Sequence, residues 1–396
     1  MTTLRDVAQR AGVSAMTVSN VVNGRSGKVS QSTIERVQAA IRELGYVPNA
    51  QARTLAGASS RIVALVYGVS HDRAPLSVTH ESVFVGACEQ ACHRAGLAVM
   101  LCACVEEEAE PFLQRLRGWN VAGVIVMGTT PTQVRLRLPE LGVPVVAIDS
   151  RSAEVAELAQ RQDADGQAGG KLVEGQSVEG QSVEGERAAG AVAAGERSTD
   201  ERAAGMPGVD RHWAASGLFT VGIDDQGGGV LAGQRLREAG HRRVVFAAPY
   251  PRLSRIDFDR LAGLRDGLGA GAQVRVVEAA VDYPVAVETG AALARSMREA
   301  GESAVFASAD LLAMGIVAGL RRSGVKVPED VSVVGFDGFD VSTYCDPVLS
   351  TVVQPVALKA SEAVRLVSQR ASDDGEVVDV VLPVSWRQGG TLGPAS

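Results

Sequence analysis

The sequence predicts a small all-α module at the N-terminus followed by a larger α/β body, and three observations support this fold class. Within the first 45 residues, apolar side chains recur at helical spacing. From residue 61 onward, short apolar runs alternate with helical stretches, as in parallel sheets covered by helices. Between residues 151 and 217 this alternation stops, and a glycine-rich, repetitive segment replaces it.

Composition limits the class of protein. The chain has 396 residues, of which 46% are hydrophobic and 21% charged, and this excludes a fibrous or wholly disordered protein. No run approaches the roughly 18 to 20 apolar residues of a membrane-spanning helix, and the first residues lack the apolar core of a signal peptide. We therefore expect a cytoplasmic protein with no membrane partner.

Charge is distributed unevenly along the chain. The formal net charge is −7, yet residues 1–60 carry seven basic and three acidic side chains, so this segment is +4 and the remainder is −11. A small basic module on an acidic body favours a nucleic-acid partner, because neutralisation of phosphates supplies most sequence-independent affinity.

The cysteines predict core packing, with a redox or metal role beside His93 as the alternative. Their number is odd, and they lack the paired spacing of a zinc site. Two are spaced for one helix face and two for one strand face. The five are Cys88, Cys92, Cys102, Cys104 and Cys345. We expect no metal and no cofactor.

The first 23 residues have the pattern of two helices joined by a tight turn. Thr3 is placed to cap a helix whose apolar residues recur at positions 4, 7, 8 and 11. Gly12 tolerates the positive φ of a tight turn, and Ser14 can cap a second helix that begins at Ala15. The pattern is a helix-turn-helix.

The second helix has an outer face that suits DNA. Burial of its valines at 18, 21 and 22 leaves small or polar side chains outside, namely Ala15, Met16, Ser19 and Asn20. Such groups fit a major groove, where Asn can contact adenine with two hydrogen bonds. A third helix runs from Ser32 to Leu44, and a short amphipathic turn after Pro48 predicts a hinge that orders only against a partner or DNA.

Three motifs occur in order along this module. They are Leu4-x-x-Val7-Ala8-x-x-Ala11-Gly12-Val13-Ser14, Thr17-Val18-Ser19-x-Val21-Val22-Asn23 and Gly45-Tyr46-x-Pro48-Asn49-x-x-Ala52-Arg53-x-Leu55. Together they resemble the headpiece of the LacI/GalR family, the bacterial transcription regulators related to the lactose and galactose repressors.

The resemblance implies which residues contact DNA. Residues 15, 16 and 20 would read base edges, and Leu55 would wedge into the minor groove at the centre of the operator. The implied set is Ala15, Met16, Thr17, Ser19, Asn20, Asn23, Asn49, Ala52, Arg53 and Leu55. The family commonly has Arg where this chain has Asn20. The alternatives are an incidental surface side chain for Met16 and dimer packing for Leu55.

Two motifs in the C-terminal half resemble the effector-binding body of the same family. They are Asp310-x-x-Ala313-Met314-Gly315 and Val327-Pro328-x-Asp330-Val331-Ser332-Val333-Val334-Gly335-Phe336-Asp337. The resemblance implies two Rossmann-like subdomains of the periplasmic-binding-protein type, with a ligand cleft at the carboxyl ends of the strands.

The same resemblance implies six effector-binding residues: Tyr67, Asp149, Arg260, Tyr283, Asp337 and Gln354. Arg and Asp make directional hydrogen bonds to hydroxyl groups, and a Tyr ring stacks on a sugar or base, so a small polyol or nucleoside is expected. The alternatives are an interdomain salt bridge for Arg260 and helix caps for Asp149 and Asp337. Ala309 stands where the family often has Asn.

The segment 151–217 carries tandem repeats. Val-Glu-Gly-Gln-Ser begins at 173 and at 178, and Glu-Arg-Ala-Ala-Gly occupies 186–190 and 201–205. Such a composition buries too little apolar surface to offset its ordering entropy, which predicts a disordered surface insertion. A docking or regulatory role is the alternative.

These observations divide the chain into five parts. The ranges are a headpiece at 1–48, a hinge at 49–60, an N-subdomain at 61–150 and 354–382, the insertion at 151–217, and a C-subdomain at 218–353 and 383–396. We expect a homodimeric repressor that binds double-stranded operator DNA under the control of a small-molecule effector, because two recognition helices on symmetric DNA require a two-fold protein.

Enzymes and transport proteins are the competing classes. Gly227-Gly228-Gly229 follows a strand but lacks both the dinucleotide-binding and the P-loop patterns. The histidines show no metal spacing, and we expect His241 to cap a helix end. A transport-type binding protein would share the body but not the headpiece. We therefore expect no enzyme and no catalytic residues.

Overall fold

A computed structural model describes residues 2–22, 27, 29–46, 60–69, 79–128, 130–150, 218–249, 254–369 and 378–395. These fall into two compact units, residues 1–60 and 61–396, which are described separately. The insertion predicted at 151–217 and the hinge residues 49–59 lie outside the described residues. Within the described ranges, no helix is long and apolar enough to cross a membrane.

The first unit contains three helices: α1 (Leu4–Ala11), α2 (Ala15–Val22) and α3 (Gln31–Leu44). Thr3 and Asp6 form a reciprocal capping box at the start of α1, and Gly12 takes the predicted left-handed turn at φ 64°. The Ser14 hydroxyl accepts the Thr17 amide N–H at 3.1 Å and so caps α2. Val7, Val18 and Val37, one from each helix, are fully buried. The predicted helix-turn-helix is confirmed.

The second unit contains two six-stranded sheets, and the first is parallel throughout. Its strand order is β11-β5-β4-β3-β1-β2. The strands are β1 (Ile62–Gly68), β2 (Ala98–Cys104), β3 (Gly123–Val126), β4 (Val145–Ile148), β5 (Leu218–Ile223) and β11 (Val378–Leu382). The helices of this half are α4 (Thr79–Arg94), α5 (Ala109–Trp119), α6 (Thr132–Arg137) and α11 (Val356–Val367).

The second sheet has the order β12-β10-β9-β8-β6-β7, and only the edge strand β12 is antiparallel. Its strands are β6 (Arg243–Ala248), β7 (Gln273–Glu278), β8 (Ala304–Ala307), β9 (Ser332–Asp337), β10 (Ser350–Val353) and β12 (Ser385–Arg387). The helices are α7 (Asp225–Glu238), α8 (Arg255–Leu268), α9 (Tyr283–Ala300) and α10 (Asp310–Arg322). The unit thus has the expected α/β architecture of two subdomains.

One predicted subdomain boundary is wrong. Residues 218–223 were assigned to the C-subdomain, but β5 pairs in parallel with β4 and β11 of the first sheet. The side chains of Phe219, Val221 and Ile223 are buried in the core there. The reason is that a continuous apolar run can pair with a strand edge in either sheet. The chain changes sheet after Ile223, around Gln354 and after Leu382.

The cysteines pack as predicted. Cys88, Cys92, Cys102 and Cys104 are buried, and burial raises the pKa of the Cys92 thiol to about 11. A thiol with a raised pKa is a poor nucleophile and a poor metal ligand. Among the described residues, no group of three or more His, Cys, Asp or Glu side chains could hold a metal ion.

His241 ends α7 through its backbone but has a different role through its side chain. Its amide N–H donates to the Leu236 carbonyl at 3.0 Å, which closes the helix end as expected. The imidazole lies 2.7 Å from the Ser303 hydroxyl and 3.0 Å from the Ser332 hydroxyl. The ring therefore connects Ser303, just before β8, with Ser332, the first residue of β9.

Candidate ligand cleft and nucleic-acid interface

A cavity of about 340 Å³ lies between the two subdomains of the second unit. Its lining residues come from the carboxyl-end side of the first sheet and from the start of α8, which follows a strand of the second sheet. They are His80, Glu81, Met127, Gly128, Arg135, Ile148, Asp149, Ser150, Ser254, Arg255 and Ile256. In the first sheet this is the point where the strand order reverses between β1 and β3, where open α/β sheets bind ligands.

Asp149 is an acidic residue of the cavity wall and forms an ion pair with Lys359. It follows β4 at a left-handed φ of 53°, and the Lys359 ammonium lies 2.8 and 3.0 Å from its two carboxylate oxygens. The His80 Nε2 atom lies 3.6 Å from Asp149 Oδ2. Burial opposes ionisation of Asp149, but the Lys359 and His80 beside it hold its pKa below the usual value.

His80 lines the cavity as a neutral ring. Burial lowers its pKa to about 4, despite the nearby Asp149 charge. Its ring also lies 6.0 Å from the ring of Phe339, which follows β9 of the other subdomain. The imidazole can therefore donate or accept hydrogen bonds at neutral pH without adding charge to the cavity.

Arg260 is occupied by groups of its own subdomain. Its Nε and one terminal nitrogen each lie 2.8 Å from Asp225 Oδ1, and its other terminal nitrogen donates to the Ser308 carbonyl at 2.6 Å. The guanidinium centre lies 3.5 Å from the centroid of the Phe336 ring. Burial raises the pKa of Asp225, and the Arg260 charge opposes that effect.

Gln354 joins the two subdomains through its side-chain amide. Its Nε2 donates to Asp337 Oδ1 at 2.7 Å, and its Oε1 accepts from the Lys359 ammonium at 2.9 Å. Asp337 lies at the end of β9, and Lys359 lies on α11, which packs against α4 and the first sheet. A continuous path of hydrogen bonds therefore runs from Asp149 to Asp337.

Asp337 lies beside a second carboxyl group, that of Asp310. Burial and the Asp310 charge raise the pKa of Asp337 to about 8, and Arg260 opposes them. Asp337 Oδ2 accepts the amide N–H of Asp310 at 3.4 Å. Asp310 is the first residue of α10, so this contact is the helix cap that was the alternative role for Asp337. The Asp310 carboxylate in turn accepts from the Thr351 hydroxyl at 2.5 Å and from the Gly338 amide at 2.9 Å.

The structure brings together four of the six predicted effector residues. Asp149, Gln354 and Asp337 share the hydrogen-bond path, and the Arg260 charge lowers the pKa of both aspartates. Only Asp149 of the six is among the cavity-lining residues. Tyr67 is buried at the end of β1, and Tyr283 is 40% exposed at the start of α9; neither lines the cavity.

Lys359, His80 and Asp225 were missed from the sequence. Lys359 did leave a signal, because it interrupts the apolar stripe of α11 that includes Val356, Ala360, Ala363 and Val367. A lysine on the buried face of a helix indicates an acidic partner in the fold. His80 and Asp225 left no comparable pattern.

The predicted DNA-contacting residues on α2 have accessible side chains. Ala15 and Met16 are exposed, the latter to 70%, and Thr17, Ser19 and Asn20 are partly exposed. Basic side chains are exposed elsewhere in the same unit, including Arg5, Arg36 and Arg42. The remaining candidates, Asn23, Asn49, Ala52, Arg53 and Leu55, lie outside the described residues.

Similarity to known proteins follows the same division of the chain. Residues 3–49 match the family described as "Bacterial regulatory proteins, lacI family", and residues 234–392 match "Periplasmic binding protein-like domain". The HTH-type transcriptional regulator CelR of Thermobifida fusca is 31% identical over 384 residues, which is 96% of this chain and 94% of CelR. The chain belongs to the lacI family of bacterial regulatory proteins.

Other relatives agree with this assignment to the lacI family. The HTH-type transcriptional repressor PurR of Vibrio atlanticus is 24% identical and covers 94% of this chain and 93% of its own length. A solved complex of the regulator CelR with cellobiose is 28% identical at a TM-score of 0.58, covering 99% of this chain and 100% of the other. The lac repressor dimer bound to operator and the anti-inducer ONPF, 23% identical, shares the fold at a TM-score of 0.70, with 99% of each chain covered.

Membership of the lacI family settles the class of function. The first unit is the lacI-type helix-turn-helix, and the second is the periplasmic-binding-protein-like body with two parallel-sheet cores. The relatives are transcriptional regulators rather than enzymes. This lacI-family chain is therefore a transcriptional regulator.

Proposed function

We propose that this regulator is a repressor that binds a symmetric operator as a homodimer and responds to an uncharged polyol, a sugar or nucleoside, in the cleft. The observation that carries the proposal is the cavity between the subdomains, which is lined by Asp149, Ser150 and Ser254. These side chains offer hydroxyl and carboxylate oxygens at one place, as recognition of several hydroxyl groups requires.

The ion pair at the cavity wall favours a ligand with hydroxyl groups. The Asp149 carboxylate is matched by the Lys359 ammonium. A carboxylate so paired still accepts hydrogen bonds from hydroxyl groups, whereas a cationic ligand would find no unpaired negative charge on it. The cellobiose in the CelR complex supports a sugar as the first compound to test.

Lining residues from both subdomains give a ligand the means to change the DNA affinity. A ligand that contacts α8 and the first sheet together stabilises one arrangement of the subdomains over another. It then shifts the equilibrium by its differential affinity for the two arrangements, and operator affinity changes to the extent that the operator also prefers one of them.

The test is a binding measurement on the full chain. Fluorescence anisotropy with the DNA upstream of its own gene should show tighter binding than to a shuffled duplex, and affinity should fall with salt as phosphate contacts require. The titration is then repeated with cellobiose and a panel of neutral sugars and nucleosides. Equal affinity for both duplexes would contradict operator recognition, and no response to the whole panel would contradict the effector class.

The outer face of α2 makes a prediction for single residues. Asn20→Ala should reduce discrimination at one base pair in each half-site by about 1–3 kcal/mol, because a bidentate contact to a base is lost.

The predicted hinge gives a second substitution. Leu55→Ala should weaken operator binding more than random-duplex binding, since a minor-groove wedge acts by bending the site. Measurement on operators with single-base changes checks both.

The matched control is Gln38→Ala, which removes an exposed amide from α3 of the same unit. It should leave base discrimination as in the wild type. An Asn20→Ala protein that loses the same affinity for operator and random duplex would show that Asn20 contributes no base reading.

A further inference from the structure

Lys359 is a buried cation on an otherwise apolar helix face. Its side chain is 0% exposed, and the neighbouring buried positions of α11 are apolar. Burial of an ammonium costs desolvation free energy, and an apolar side chain of similar volume often replaces a buried ion pair without loss of stability. Packing alone therefore does not account for a lysine at this position.

The contacts of Lys359 connect two places that differ in role. On one side its Nζ holds both carboxylate oxygens of Asp149, which lines the cavity. On the other side it donates to the Gln354 Oε1 atom, on the segment where the chain passes from β10 to α11. One ammonium group thus contacts a residue that lines the ligand cavity and a residue at the crossing between the subdomains.

Lys359 also fixes the orientation of the Gln354 amide. An ammonium group can only donate, so it must face the amide oxygen, and the amide nitrogen is then directed to Asp337. That nitrogen donates to Asp337 Oδ1 at 2.7 Å, in the other subdomain. Without the ammonium, the amide would lose the partner that sets its direction.

We propose that Lys359 is a positioning residue that transmits ligand contact at Asp149 to Gln354 and, through it, to Asp337. A ligand hydroxyl that donates to Asp149 takes up part of its acceptor capacity. The ammonium then bonds more strongly to Gln354, which tightens the bond between Gln354 and Asp337. The inference deepens the proposed function and, for its second test below, rests on it.

The first test needs no ligand and uses hydrogen exchange of the full chain. Lys359→Met removes the donor, and Lys359→Met combined with Asp149→Asn also removes the carboxylate that would be left buried alone. The reporters are the amides of Gln354, which donates to the Asp337 carbonyl, and of Gly338, which donates to Asp310. Both should exchange about tenfold faster in the double variant, while the Val124 amide of β3 stays as in the wild type.

The matched control is Lys326→Met, the same substitution at an exposed lysine. It should leave exchange at all three amides unchanged. If Lys359 had only a structural role, its replacement would destabilise the whole second unit and raise exchange at all three amides together. The proposal is overturned if Gln354 and Gly338 in the folded double variant exchange as in the wild type, or only together with Val124.

The second test measures coupling with cellobiose, and with the neutral sugars and nucleosides of the panel, as the probes. The ratio of operator Kd with and without saturating probe should become about one in Lys359→Met, although calorimetry still detects probe binding. Retention of the wild-type ratio would overturn the proposal. If no probe changes the operator Kd of the wild type, the proposed effector class is contradicted instead. The exchange experiment would then still decide the role of Lys359.

Discussion

At the scale of single residues, Asp310 and Asp337 are two neighbouring buried acidic groups of the C-subdomain, and burial raises the pKa of both. Both are buried, and burial with the neighbouring Asp310 charge raises the pKa of Asp337 to about 8. Asp337 is therefore mostly protonated at pH 7 in the folded protein, whereas an unfolded chain ionises it near about 3.9. The folded state binds the extra proton between these two values, so this group makes stability fall as pH rises.

His80 acts in the opposite direction over a lower pH range. Burial lowers its pKa to about 4, so between that value and the unfolded value of about 6.5 the unfolded chain binds more protons. Stability from His80 thus rises with pH and is complete above the unfolded value. Of Asp337 and His80, only Asp337 still changes its protonation in the folded protein between pH 6.5 and 8.

We predict from these signs that the free energy of unfolding of the wild type decreases between about pH 6.5 and pH 8. Asp337→Asn, which keeps an amide in place of the protonated carboxyl, should show a flatter profile over the same range. Urea unfolding at several pH values measures both slopes. Equal slopes in the two proteins would show that Asp337 is ionised in the folded state.

Single residues also show what the sequence could predict of the site. Asp149 and Asp337 were predicted from the resemblance to the LacI/GalR family, and both lie at strand ends, where such sheets bind ligands. The partner of Asp149 was not predicted, because Lys359 lies 210 residues away along the chain. Only the folded topology brings the two together.

At the scale of elements, α7 and α8 pack with their backbones in close approach. Gly229 and Gly233 on α7 face Gly263 and Gly267 on α8, and a Cβ on any of the four would collide with the backbone of the other helix. Each pair is spaced four residues apart, so each lies on one helix face. The sequence showed this spacing, but it could not show which helices meet.

The glycine contacts predict opposite effects for one substitution at two positions. Gly233→Ala should destabilise the protein by about 1–3 kcal/mol, because the added methyl has no room against the Leu264 carbonyl. Gly118→Ala in α5 meets nothing within 4 Å and should stabilise by about 0.5–1 kcal/mol through helix propensity. Urea unfolding compares them, and a loss of stability in both would show that the close approach is not the cause.

At the scale of the whole molecule, the sequence predicted the architecture better than the path of the chain. Alternating strands and helices predicted an α/β body because the two periods differ along the sequence. The run Leu218–Ile223 was placed in the wrong subdomain, since its apolar side chains could join either sheet. The assignment depends on which strand edge is open, and that is a property of the assembled sheet.

The pairing of β4 with β5 leads to a prediction about the repeats between them. These two strands are parallel neighbours, so the connection must return from the end of one to the start of the other, which takes a dozen or more residues. Deletion of 173–205 leaves 24 residues before the cut and 12 after it, enough for that return.

Deletion of residues 173–205 should leave operator affinity unchanged and raise the free energy of unfolding by at most about 0.6 kcal/mol, because halving a loop lowers its closure entropy by that amount. The composition of the repeats predicts that they bury too little apolar surface to offset this gain. Replacement of the same residues by a Gly/Ser linker of equal length separates length from sequence and should leave the free energy of unfolding as in the wild type. A loss of several kcal/mol in both variants would mean that the repeats pack against the body, because a loop-length effect alone has the opposite sign in the deletion and is absent from the linker variant.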